Sequence, residues 1–175
     1  MRVTRYPANN SSGSGLLYGA FSDTTSQNPG ATNTAYPITM NTTDLVDGIY
    51  LDSVHKSRII CPASGVYNFQ FSLQLQSATS STKLVVIWGR INGTDVANSA
   101  TDITIAGNNS QQVAAWNFMF QMNAGQYFEL VWAADDTNVS LYHSASQSSP
   151  FVRPAIPSVI MTVNFISIPP DNQSA

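Results

Sequence analysis

The stretch Gly65-Val66-Tyr67-Asn68-Phe69-Gln70-Phe71-Ser72-Leu73-Gln74-Leu75 decides the fold class. Tyr67, Phe69, Phe71, Leu73 and Leu75 alternate with Asn68, Gln70, Ser72 and Gln74. Successive side chains of a strand point to opposite faces, so a period of two predicts a strand with one apolar and one neutral polar face. A helix would need apolar residues three and four apart, and no window of the chain sustains that spacing.

The same reading extends along the chain. Residues 83–91 form a nearly continuous apolar run, which predicts a strand covered on both faces. Asn92-Gly93 closes it with a dipeptide suited to a two-residue hairpin. Residues 112–122 put Trp116, Phe118, Phe120 and Met122 on one face. Asn123-Ala124-Gly125 turns the chain into residues 127–133, with Phe128, Leu130 and Trp132 together. Asp135-Asp136-Thr137-Asn138 is a tight polar turn before Val139 and Leu141. A last strand over 158–168 aligns Val159, Met161, Val163 and Phe165, and Pro169-Pro170 ends it. About ten short strands at close intervals predict an all-β antiparallel sandwich or barrel. Its domain spans residues 18–169, between a flexible arm over 1–17 centred on Asn9-Asn10-Ser11-Ser12-Gly13-Ser14-Gly15 and a tail over 170–175.

Composition adds a second theme. A chain of 175 residues with 43% hydrophobic content can build one sizeable core. Only 10% of its residues are charged, against roughly 25% in an ordinary domain. Ser, Thr, Asn and Gln stand in their place. Such a surface can be buried against protein without desolvating ions. A sandwich buries one face of each sheet, so strands that are neutral on both faces leave a surplus face for an interface. The net charge of −3 and the scatter of seven basic residues give no footprint for nucleic acid. No apolar run is long enough to span a membrane as a helix. Met1-Arg2-Val3-Thr4-Arg5-Tyr6-Pro7 carries no apolar stretch behind its charges, which argues against a secretory signal. The single Cys61 excludes an intrachain disulfide.

Catalytic patterns are missing from the sequence. His55 and His143 stand outside any metal-ligand spacing, and no nucleophile elbow, phosphate loop or dinucleotide turn occurs. Asp135-Asp136 suits either a calcium site or an Asx turn, and the turn is the commoner use. Asp95, Asp102, Glu129 and Asp135 could supply a carboxylate pair for glycoside cleavage, with no spacing that singles one out. The expectation is a protein without catalytic, metal or cofactor sites that acts by contact.

Residues 50–69, Tyr50-Leu51-Asp52-Ser53-Val54-His55-Lys56-Ser57-Arg58-Ile59-Ile60-Cys61-Pro62-Ala63-Ser64-Gly65-Val66-Tyr67-Asn68-Phe69, resemble the signature of complement-type globular heads within the tumour necrosis factor-like jelly rolls. Gly125-Gln126-Tyr127-Phe128-Glu129-Leu130 is similar to that family's later hairpin, and the apolar run over 159–166 is similar to its terminal strand. The resemblance implies a ten-stranded jelly roll that forms a homotrimer. It also implies that the sheet carrying residues 67–75 faces the three-fold axis, with Gln70, Ser72 and Gln74 in the trimer interface.

Gly19-Ala20-Phe21-Ser22-Asp23-Thr24-Thr25, Ile87-Trp88-Gly89-Arg90-Ile91-Asn92-Gly93 and Ile156-Pro157-Ser158-Val159-Ile160 resemble phrases of tailed-bacteriophage virion proteins. That resemblance implies a place on the virion surface. Size and the short arm favour a head decoration (cement) protein bound to the major capsid protein. Arg2, Val3, Arg5 and Tyr6 would then grip coat subunits. The alternative is a receptor-binding module at a fibre tip, where Tyr36, Trp88, Tyr142 and the 143–154 loop would contact a host glycan or protein.

Overall fold

A computed structural model describes residues 16–107 and 109–168, and every regular element within them is a strand. In chain order these are β1 (Tyr18–Asp23), β2 (Tyr36–Pro37), β3 (Thr42–Asp47), β4 (Tyr50–Leu51), β5 (Ile59–Ile60) and β6 (Gly65–Ser77). They continue as β7 (Lys83–Ile91), β8 (Thr94–Asp95), β9 (Thr101–Ile105), β10 (Ser110–Met122), β11 (Tyr127–Ala134), β12 (Val139–Leu141) and β13 (Val159–Ser167). The number exceeds the expected ten because four pieces, β2, β4, β5 and β8, are two-residue pairings beside longer strands. The β7–β8 connection is the expected hairpin, with φ of 49° at Asn92 and 81° at Gly93.

The strands pair antiparallel in two sheets, as a β-sandwich. One sheet runs β10-β6-β13-β1-β3, and β12 pairs with the end of β6. The other runs β4-β5-β11-β7-β8, with β2 also beside β11 and β9 also beside β7.

Tyr67, Phe69, Phe71, Leu73 and Leu75 all point into the space between the sheets and are buried, as their alternation predicts. They meet Phe128, Leu130 and Trp132 of β11, Val85 and Ile87 of β7, and Val159, Met161 and Val163 of β13. Burying aromatic rings of this size supplies much of the driving force for folding. The one polar atom among the β6 rings is satisfied, since Tyr67 Oη donates to the Ala63 carbonyl at 2.8 Å.

One expectation needs correction. The outer side of β7 is not fully covered, and Leu84 there is 38% exposed. Its apolar run reflects a strand central in its sheet rather than one buried on both faces. Trp116, Phe118 and Phe120 do share the inward face of β10 with buried Ala114 and Met122. They are only half-buried because β10 is an edge strand, flanked on one side alone.

The long strands give the molecule two poles. At one, Leu17 carbonyl accepts the Phe165 amide at 2.9 Å, beside the start of β6. Gly65 is required there, since a Cβ would run into the Phe165 ring and the Ser167 carbonyl. At the other pole lie Ser77, Ser110 and Val139, which share one register. Thirteen residues of β6 separate the two ends by roughly 40 Å at the usual strand rise.

Candidate interaction surface

Gln70, Ser72 and Gln74 follow one another along the outer face of β6, the strand next to the β10 edge of its sheet. Gln70 is exposed, while Ser72 and Gln74 are half-buried by neighbours. Register fixes those neighbours: Gln70 stands between Asn117 and Thr162, Ser72 between Ala115 and Ile160, and Gln74 opposite Val113. The three expected residues therefore belong to one continuous face. Sequence reading alone did not include its apolar members, Val113, Met119 and Ile160. Met119, opposite Asn68, is 57% exposed.

Two shallow depressions indent this face. One, of about 330 Å³, is lined by Tyr18, Gly19, Ala20, Leu45, Thr162 and Asn164. A smaller one of about 190 Å³ lies between Gln70, Ser72, Ile160 and Thr162. Both are open and neutral.

Charge separates the two sheets. Strands β6, β10, β12 and β13 contain no Asp, Glu, Lys, Arg or His. In their sheet Asp23 is buried at the end of β1, and Asp44 and Asp47 lie on the far edge strand β3. The other sheet holds a polar cluster. Ser57 Oγ donates to buried Glu129 at 2.6 Å, and Arg58 Nε faces the same carboxylate at 3.5 Å as an ion pair. The Arg58 guanidinium lies 4.4 Å over the Tyr127 ring. Arg90 Nε and Trp88 Nε1 both donate to Asp95, and these bonds hold its carboxyl below the usual range.

Asp135 and Asp136 are engaged by protein donors. Asp135 Oδ1 accepts the Leu84 amide at 3.0 Å. Asp136 accepts the amide and side chain of Asn138, an Asx turn, and meets Lys83 Nζ at 2.6 Å. The lysine, with Asn138 behind it, pulls the Asp136 carboxyl down to about 2. An ammonium thus sits on the carboxylate that a calcium ion would need. Among the described residues no group of three His, Cys, Asp or Glu is placed to hold a metal.

Elsewhere, burial pushes the Cys61 thiol up to about 12, away from nucleophilic chemistry at neutral pH. The aromatic residues of the alternative reading are dispersed. Trp88 sits on β7, Tyr36 packs with its hydroxyl toward Gly30, and Tyr142 follows β12 in the opposite sheet. Arg2, Val3, Arg5 and Tyr6 lie outside the described residues, as does the 170–175 tail.

No protein-family model matches the chain, and no curated protein matches it either.

Proposed function

We propose that the chain is a non-enzymatic structural protein of a virus particle, a homotrimeric jelly roll that decorates a bacteriophage head on its major capsid protein. The observation that carries this reading is the outer face of β10, β6 and β13, which is long, free of charge and dotted with exposed apolar side chains. A trimer brings three copies of every surface together, where like charges would repel. Amides and hydroxyls such as Gln70, Ser72 and Gln74 can donate and accept across such contacts. The strand path supports the jelly roll. The described strands cross between sheets at β1–β2, β2–β3, β3–β4, β5–β6, β6–β7, β9–β10, β10–β11 and β11–β12, and β1 and β13 lie side by side.

Light scattering at micromolar concentration tests the assembly, and a stable monomer would end the trimer. Electron microscopy of particles tests the location. A copy on every equivalent lattice position supports decoration, and a few trimers at a fibre end support the second reading, a receptor-binding module. That second reading draws on the ordered ribbon between β12 and β13.

A further inference from the structure

Charge is scarce in this chain, at 10% of residues, yet four charged side chains stand in one row across the β4-β5-β11-β7-β8 sheet. Phe128 and Leu130 point into the core, so Glu129 between them faces outward on β11. Register places Arg90 of β7 beside it, and Asp95 of β8 beside Arg90. Arg58, one residue before β5, completes the row from the other side, with its Nε 3.5 Å from Glu129. The signs alternate along the row and sum to zero.

Two rings flank these charges. Trp88 lies two residues along β7 from Arg90, and Tyr127 two residues along β11 from Glu129. The strands are antiparallel, so the rings stand on opposite sides of the row. The row is not closed on itself. Ser57 and Arg58 both meet Glu129 at Oε1, and Trp88 and Arg90 both donate to Asp95 at Oδ1. Among the described residues nothing donates to Glu129 Oε2 or Asp95 Oδ2, and nothing accepts from the Nη groups of Arg58 or Arg90. The side chains of Asp95 and Arg58 are 56% and 31% exposed, so both reach solvent. Exposed ion pairs contribute little to stability, and holding the sheet does not account for such a concentration of charge.

We propose that Arg58, Glu129, Arg90 and Asp95, with Trp88 and Tyr127 beside them, form a binding site for a neutral glycan presenting adjacent hydroxyl groups. A sugar hydroxyl both donates and accepts, whereas a carboxylate only accepts and a guanidinium only donates. Alternating the two across a row offers each of two neighbouring hydroxyls its complement. The rings supply apolar surface for the C–H face of a pyranose. An anionic ligand would meet two carboxylates as well as two guanidiniums, so charge selects an uncharged one. An apolar ligand would strip water from four charged groups without replacing its hydrogen bonds. The row lies on the sheet that does not carry Gln70, Ser72 and Gln74, so the site rests on neither the trimer nor the place on the particle.

The test screens the full chain on an array of neutral hexose and N-acetylhexosamine oligosaccharides, with sialylated and sulfated glycans as a second arm. Neutral glycans should bind, and added salt should change that binding little. The strongest of them is then titrated by calorimetry against Asp95→Asn and Arg58→Met. The first turns the open Oδ2 into an amide donor, and the second removes the guanidinium but keeps an unbranched stem over Tyr127. Each should weaken binding about tenfold or more, with the melting temperature near the parent's. Asp95 is the most exposed member, so Asp95→Asn decides should Arg58→Met fail to fold. Gln70→Glu, on the other sheet, should leave the affinity unchanged. Binding of no neutral glycan, or an affinity indifferent to Asp95→Asn, would overturn the site. Binding of sialylated or sulfated glycans alone would overturn the choice of an uncharged ligand.

Discussion

Phe69 of β6 and Phe128 of β11 stack across the sandwich with ring centroids 4.2 Å apart and planes 29° from parallel. The pair joins an interior strand of each sheet, and Phe120 leans on both rings from the edge strand β10. Phe69→Ala would open a cavity where rings of three long strands, β6, β10 and β11, meet. The expected loss is about 3–5 kcal/mol, read from denaturant unfolding. An unchanged transition would mean that the ring does not bridge the sheets.

Gln70→Glu and Gln74→Glu place charge on the neutral face without touching the core side of β6. On the proposed trimer each change sets three carboxylates near one axis, so the oligomer should dissociate while the monomer keeps its β-sheet circular dichroism. Met119→Lys should do the same from β10, where the side chain is exposed. Sedimentation that shows one unchanged species for all three variants would assign this face to solvent.

How much of this was legible beforehand depends on what each strand borders. Alternation in residues 67–75 read true because β6 is flanked on both sides, so one face had to be core. Pairing of 92–93 read true because two positive φ angles are a local requirement. The half-burial of Trp116, Phe118 and Phe120 was not legible, since being an edge strand is a property of the whole sheet. Val113, Met119 and Ile160 were hidden for the same reason, because only the register sets them around Gln70 and Ser72. The ribbon was hidden because two isolated bridges and one arginine hold it, with no periodic pattern to announce it.

Asp136 provides a pH signature. Its carboxyl is lowered to about 2 in the folded protein, first by Lys83 and then by Asn138, against an ordinary value of 3.8. A lowered folded-state value means that its contribution is present above the ordinary carboxylate range and lost as pH falls from about 4 toward 2. Lys83, raised chiefly by the same partner, loses its share as pH climbs through the lysine range. Asp136→Asn should therefore lower the melting temperature at pH 7, with the gap to the parent closing near pH 2. A gap that persists in acid would show that the ion pair with Lys83 does not carry the effect.

Asp23 is 2% exposed, and its carboxylate accepts from Thr25, Gln27, Thr39 and Asn41. These bonds hold the 24–41 connection to the end of β1, beside the base of the ribbon. Asp23→Ala would remove the buried acceptor that gathers these part-buried bonds and should cost about 1.5–3 kcal/mol. Hydrogen exchange should rise first at Gln27 and Leu141, which exchange backbone bonds at 2.9 Å. Protection there that matches the parent protein would show that the loop holds itself.

The Leu17 carbonyl accepts the Phe165 amide, and Leu17 packs against the core, whereas Leu16 is exposed. Removing residues 1–15 therefore leaves every described strand and this last tie intact. The shortened chain should melt at the parent temperature and keep the parent oligomeric state. Arg2 and Arg5 are two of only seven basic residues, and with Val3 and Tyr6 they suit an acidic and apolar coat surface. On the decoration reading the shortened chain should fail to sediment with mature capsids of its phage. If it sediments as well as the full chain, attachment runs through the sandwich itself, and the neutral face becomes the element to mutate next.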